Sequence, residues 1–236
     1  MRVSGQHFRT KRLFPVIFFL ILITSSCQDS PVEPVPFDTS YFPLSTGKFI
    51  IYEVDSIVMS DFFNTTDTVH YQLMEAVDSA YTDAGGRQAF RIIRSRLDSL
   101  NGAWRIIDVW SANVTETTAE KVEENLRFIK LSFPVLLNKI WAGNSYINTD
   151  SPLVYLDDWE YKYTDVNETF DTYAGTFDSV ITVLQHEDIN AIQTVFYQEK
   201  YAKQVGMIYK EEQNFETQPG SYPNGYILKM TIVQHN

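Results

Sequence analysis

From residue 48 onward, apolar side chains recur at every second position in run after run, the period of a β-strand with one face turned to a core. DTVHYQLMEAVDSAY (67–81) places Val69, Tyr71, Leu73 and Val77 on one face. KFIIYEVDSIVM (48–59), LRFIKLSFPV (126–135), GTFDSVITVLQHED (175–188), AIQTVFYQEKY (191–201) and QVGMIYKEEQNF (204–215) read the same way, as does VYLDDWEYKYTDV (154–166). QAFRIIRSRLDSL (88–100) and AWRIIDVWSANVT (103–115) flank Asn101-Gly102, and GYILKMTIVQHN (225–236) follows a second Asn-Gly pair. Both residues of such a pair tolerate positive φ, so Asn101-Gly102 predicts a hairpin between the runs that flank it. TTAEKVEEN (117–125) is the one stretch that reads as a helical turn or two.

About ten closely spaced strands without helices between them predict an all-β antiparallel meander. Trp104, Ile106 and Trp110 share one parity while Ile107 and Val109 hold the other. A flat sheet with one wet face does not carry apolar residues on both sides. The sheet is therefore expected to curl strongly into a barrel or half-barrel, with a β-sandwich as the alternative.

The first 47 residues are different. Arg2, Arg9, Lys11 and Arg12 precede an apolar run from Leu13 to Ile23, and Thr24-Ser25-Ser26 follow. That order is the order of a secretion signal. An apolar run of about 11 residues falls short of the roughly 20 that a membrane-spanning helix requires. The segment resembles a bacterial lipobox, in which a small residue precedes a cysteine that is acylated on its thiol; Thr24 stands where the pattern prefers Leu. Cys27 falls at the attachment position and is the only cysteine of the chain. The expected organisation is a signal peptide over 1–26, a lipidated Cys27 with a Pro-rich tether over 27–37, and one β domain over 38–236. The resemblance implies a membrane partner reached through the lipid, and Gln28 after the cysteine favours the outer membrane over inner-membrane retention.

Removal of the leader takes four of the 19 basic residues and none of the 30 acidic ones, leaving a net charge of −15. Such a surface repels phosphate backbones, so nucleic acid is not an expected partner. No second cysteine exists to form a disulfide, so stability rests on a hydrophobic core drawn from 14 Tyr, 16 Phe and the aliphatic residues.

YFPLSTGKFIIYEVDS (41–56), ENLRFIKLSFP with KIWAGN (124–134 and 139–144), and EKYAKQVGMIYKE (199–211) resemble uncharacterised exported lipoproteins of Bacteroidota. The likeness implies an envelope location and no particular activity. In those bacteria, Asp followed by Ser or Thr and a small apolar residue resembles an acceptor for O-glycosylation. Ser56, Thr68, Ser79, Ser99 and Ser179 stand in such tripeptides, which are equally the ordinary chemistry of strand ends.

Candidate chemistry is thin. His70, His186 and His235 are far apart, and only His186-Glu187-Asp188 clusters; His186 and Asp188 share a strand face, but no metal set is expected. Ser45-Thr46-Gly47-Lys48 has the SxxK spacing, yet Gly47 and the β run after it read as a turn. No GxSxG, phosphate loop or CxxC occurs, and no cofactor is expected. Asp157, Asp158, Glu160, Asp165, Glu168 and Asp171 are the densest acidic stretch, a hydrolase candidate only if two of them converge. Trp104, Trp110, Trp159 and Tyr161 are the candidate contacts for an apolar ligand or a sugar ring. The expectation is a non-enzymatic envelope lipoprotein that binds an apolar ligand or a protein. A glycan-binding module is the alternative, and a carboxylate hydrolase a more remote one.

Overall fold

The computed structural model describes residues 1, 2, 5 and 37–236, so the leader and Cys27 lie outside the described residues. Among the described residues no helix is long and apolar enough to cross a membrane. Twelve antiparallel strands follow one another: β1 (Phe49–Ser60), β2 (Thr65–Thr82), β3 (Gln88–Leu97), β4 (Trp104–Val114), β5 (Thr118–Glu123), β6 (Leu126–Ser132), β7 (Ile140–Ala142), β8 (Glu160–Thr172), β9 (Gly175–Ile189), β10 (Gln193–Ala202), β11 (Gly206–Glu216) and β12 (Asn224–His235). Their spatial order is β6-β5-β4-β3-β2-β1-β12-β11-β10-β9-β8-β7. Every neighbour is thus a sequence neighbour except β1 and β12, which join the first and last strands.

The sheet curls until its two edges meet. The Ile129 amide of β6 donates to the Gly143 carbonyl just past β7, and the Trp141 indole donates to the Ile129 carbonyl. The Tyr163 hydroxyl of β8 bonds both the amide and the carbonyl of Ser132. Closure by one backbone bond and two aromatic side chains covers an edge that would otherwise invite pairing with another chain.

Inward positions are set by alternation. Tyr52 and Val54 of β1, Leu73 of β2, Ile208 of β11, and Met230 and Ile232 of β12 form one buried cluster. Tyr161 and Tyr163 of β8, Ile181 and Val183 of β9, Tyr197 and Tyr201 of β10, and Leu131 form another. The buried tyrosines end on partners: Tyr52 donates to the Met207 carbonyl at 2.9 Å, Tyr161 to Asn144 at 3.1 Å and Tyr201 to Glu199 at 2.5 Å. Residues 41–44 close one end: Phe42 lies 6.1 Å from the Tyr201 ring, and Leu44 packs near Val77 and Ile92. The loops joining β1 to β2, β3 to β4, β7 to β8, β9 to β10 and β11 to β12 all lie at the other, open end.

Three expectations need correction and one needs refining. Residues 118–123 form strand β5 and no helical turn, because pairing with β4 and β6 overrides the weak helical preference of Ala119-Glu120-Lys121. Residues 154–156 form a 3-10 turn, and the strand starts only at Glu160, after Asp158 adopts φ of 56°. The hairpin expected around Asn101-Gly102 forms between β3 and β4, but through a longer loop than that pair alone: the Gly102 amide reaches back to the Asp98 carbonyl, and Asp98 and Ala103 bracket the loop. Only Gly102 takes positive φ there. In β4, Arg94 faces Asp108 while Ser95 faces Ile106, so Ile107 is an extra bulged residue. The parity counted from Trp104 therefore does not reach Trp110, and Ile106 ends up exposed.

Asn224-Gly225 opens β12. A Cβ on Gly225, at φ of 137°, would sit 2.1 Å from the Asn214 carbonyl oxygen and 2.6 Å from the Phe215 Cα. Both obstacles are backbone and cannot swing away. Gly225→Ala is expected to cost about 1–3 kcal/mol, read as a lower urea midpoint at unchanged m-value.

Candidate functional site

Charged residues cross the interior of this barrel, at positions where alternation calls for apolar ones. Glu75 stands between Leu73 and Val77, Glu199 between Tyr197 and Tyr201, and Lys210 between Ile208 and Glu212. They form a chain alternating in sign. Asp108 holds Arg94 at 2.9 Å, Arg94 holds Glu75 at 3.1 Å, and Glu75 holds Lys121 at 2.8 Å. Lys121 is 3.6 Å from Glu123, which pairs with Lys130 at 3.1 Å. Lys130 holds Glu199 at 2.9 Å, Glu199 lies 3.6 Å from Lys210, and Lys210 holds Glu212 at 2.7 Å. The Arg94 guanidinium also lies 3.7 Å over the Trp110 ring, and the Lys121 ammonium 4.8 Å from it.

Burial pushes the carboxyls of Glu75, Glu123 and Glu199 toward neutrality, but the surrounding cations outweigh it and hold all three below the ordinary glutamate value. For Lys130 and Lys210 burial favours the neutral amine, and the flanking glutamates reverse that, keeping both ammonium groups charged to higher pH than usual. Glu75, Glu123, Glu199, Lys130 and Lys210 are thus held in their charged forms by one another and by their neighbours.

This chain of charges divides the interior. Toward the closed end lies an apolar cavity of ≈ 70 Å³, lined by Phe42, Leu44, Ile50, Ile92 and Met207 and bounded by Glu75 and Lys121. A cavity that holds one benzene ring measures about 150 Å³, so no acyl chain has room here. Toward the open end lies a cavity of ≈ 180 Å³. Its walls are Phe128, Tyr155, Trp159, Tyr161, Tyr197 and Tyr226, and its polar lining is Glu123, Lys130, Gln185, Lys210 and Glu212.

A bulge shapes this cavity. Tyr197 pairs with His186 while Gln198 pairs with Leu184, leaving Gln185 as an extra residue on β9. His186 stacks on Trp159 at 4.7 Å and 11°, and its proton affinity is lowered by burial, with Asp188 partly opposing. Gln185 itself is 4% exposed, and its Nε2 makes no hydrogen bond. An unpaired buried amide costs about 1–3 kcal/mol, and bulges that re-aim side chains recur beside functional sites. The hydroxyls of Tyr197 and Tyr226 bond each other at 2.9 Å nearby, and Tyr226 reaches Glu212 at 3.5 Å.

Around the mouth stands a rim of exposed apolar residues, one or more from each of five loop regions: Phe62 and Phe63, Leu100, Tyr146 with Val154 and Tyr155, Ile189 with Ile192, and Tyr222.

Of the residues singled out from sequence, Trp159 and Tyr161 meet at this cavity, both buried. Trp110 is half-buried, covered by Arg94 and donating to Glu124, and Trp104 is half-buried on β4; neither lines the cavity. The acids at 157–171 do not converge: Asp157, Asp158, Glu160, Asp165 and Asp171 are exposed, and Glu168 bonds Lys200 and Thr182. Lys48 donates to the Gln204 carbonyl rather than toward Ser45. Thr68 and Ser99 are exposed, and Ser56, Ser79 and Ser179 are half-buried. Among the described residues no group of three metal-ligating side chains gathers. Gln185, Lys130, Lys210 and Glu212 escaped sequence reasoning. Their signal was a polar residue on an inward parity, visible only once the bulges are known.

Fold and site together define a closed antiparallel β-meander with a polar, aromatic-walled cup at one end. No protein-family model and no curated protein matches the sequence. Among solved structures, a candidate exported protein with a YmcC-like fold from Bacteroides fragilis is similar at 14% identity, over 83% of this chain and 98% of that one, with a TM-score of 0.40. A candidate lipoprotein from Parabacteroides distasonis is similar at 14% identity, with the same coverage and a TM-score of 0.42.

Proposed function

We propose that this chain is a lipid-anchored, non-enzymatic binding protein of the cell envelope, and that its open end is where it binds. The order of leader segments and the single cysteine at position 27 support the anchor. The observation that carries the binding reading is the buried Gln185 amide without a partner in the wall of the ≈ 180 Å³ cavity. Binding is favoured over catalysis because Glu123 and Glu212, the carboxylates of that cavity, are each engaged by a lysine. A protein partner is the second reading, supported by the apolar rim.

The test is a thermal-shift survey of the full chain in a detergent without a sugar headgroup, against neutral sugars, amino acids, nucleosides and short fatty acids. At least one class is expected to raise the melting midpoint in proportion to the logarithm of its concentration, as ligands of the native state do. Tyr155→Ala, at the exposed side of the cavity, is expected to abolish that rise. Midpoints indifferent to every class would remove the cavity reading and leave the rim.

A further inference from the structure

We infer that the occupant of the open-end cavity is one uncharged sugar ring, an inference that rests on the reading of this end as a binding site. Size, charge and hydrogen-bonding demand converge on it. The ≈ 180 Å³ available compares with about 150 Å³ for a cavity that takes benzene, which is room for a single six-membered ring. Aromatic walls suit a pyranose, whose C–H faces carry slight positive charge against the negative faces of Tyr and Phe rings.

Charge excludes the ionic alternatives. Two lysines and two glutamates line the cavity, and every one is already paired. An ammonium or carboxylate ligand must either break one of those pairs or stay buried without compensation. A neutral ligand does neither.

The remaining polar groups ask for both kinds of hydrogen bond. Gln185 Nε2 is a donor lacking an acceptor, whereas Glu212 is an acceptor engaged by Lys210 at 2.7 Å and only loosely by the Tyr226 hydroxyl at 3.5 Å. A sugar hydroxyl donates and accepts at once and can serve both. A hydrocarbon serves neither.

Calorimetry and saturation-transfer NMR on the full chain, in a non-glycosidic detergent, test this with a panel of neutral monosaccharides, glucuronate, free amino acids and octanoate. At least one neutral monosaccharide is expected to bind saturably. Gln185→Leu, which keeps the bulk and removes the amide, is expected to weaken that binding tenfold or more while leaving the melting midpoint unchanged or higher. A purely structural glutamine would instead lower the midpoint on substitution. Tyr155→Ala serves as a second variant should Gln185→Leu fold poorly, and the same tenfold loss is expected. Binding of only charged or apolar probes would overturn the sugar assignment while leaving the cavity as a site. Sugar binding that both variants leave intact would place the sugar elsewhere and overturn it too. Silence from the whole panel would remove the sugar and the cavity reading together.

Discussion

Lys130→Met is expected to be the most damaging single substitution in this barrel, lowering the free energy of unfolding by about 3–5 kcal/mol. The ammonium is shared by Glu123 at 3.1 Å and Glu199 at 2.9 Å, with side-chain exposures of 4% for the lysine and 13% and 1% for the glutamates. Removing it leaves two buried carboxylates near each other with one intact cation apiece, each more than 3.5 Å away. The loss comes from stranded charge and not from lost attraction, because a well-paired buried ion set contributes little net stability. Adding Glu199→Gln to Lys130→Met is therefore expected to restore part of the stability, although it deletes a further charge. Urea denaturation decides it. A single-variant loss below about 1 kcal/mol would mean that water already solvates the interior chain, since that is the range of exposed pairs.

A steep acid limb is the second large effect. Glu75, Glu123 and Glu199 have folded-state proton affinities below the ordinary glutamate value of 4.5. The unfolded chain consequently binds protons first as the pH falls. Their contribution is complete above about pH 5 and is lost progressively below 4.5, at up to about 1.4 kcal/mol per pH unit for each carboxylate. Lys130 and Lys210, whose folded values lie above 10.5, give the mirror image: their contribution is complete below 10.5 and is lost as the pH rises beyond it. Stability measured by urea midpoint should thus hold a plateau between these limits and fall off on both sides. Glu199→Gln is expected to flatten the acid limb. A wild-type midpoint equal at pH 5 and pH 3 would contradict the ionised glutamates.

The strands were legible because most of their apolar residues obey a period of two. Val69 to Val77 and the runs at 175–188 and 204–215 needed no tertiary knowledge. What alternation cannot show is where it slips. One extra residue at Ile107 uncouples Trp104 from Trp110, and one at Gln185 turns an amide into the cavity wall and leaves His186 stacked on Trp159. The inward glutamates and lysines misled in a different way. Ala119, Lys121 and Glu123 alternate correctly in β5, but the charges of Lys121 and Glu123 hid the inward face and suggested a helix. A charge reads as solvent-facing until its partner is known, and the partners come from distant strands: Lys130 and Glu199 are 69 residues apart. Trp159 and Tyr161 were sound candidates for the opposite reason, since large aromatics line a cavity or a core wherever the register puts them.

The closed end has a practical consequence. Residues 41–44 seal it, the Gln204 amide ties it to the Ser40 carbonyl, and Asn236 bonds both Phe49 and Gly47 there. Both termini of the folded unit therefore leave from the foot of the molecule, while the mouth stands at the opposite pole. A fused domain or an affinity resin can be attached at either end of the folded unit without shading the mouth. Loops at that pole, such as 61–64 and 217–223, are where an inserted label would report on what enters.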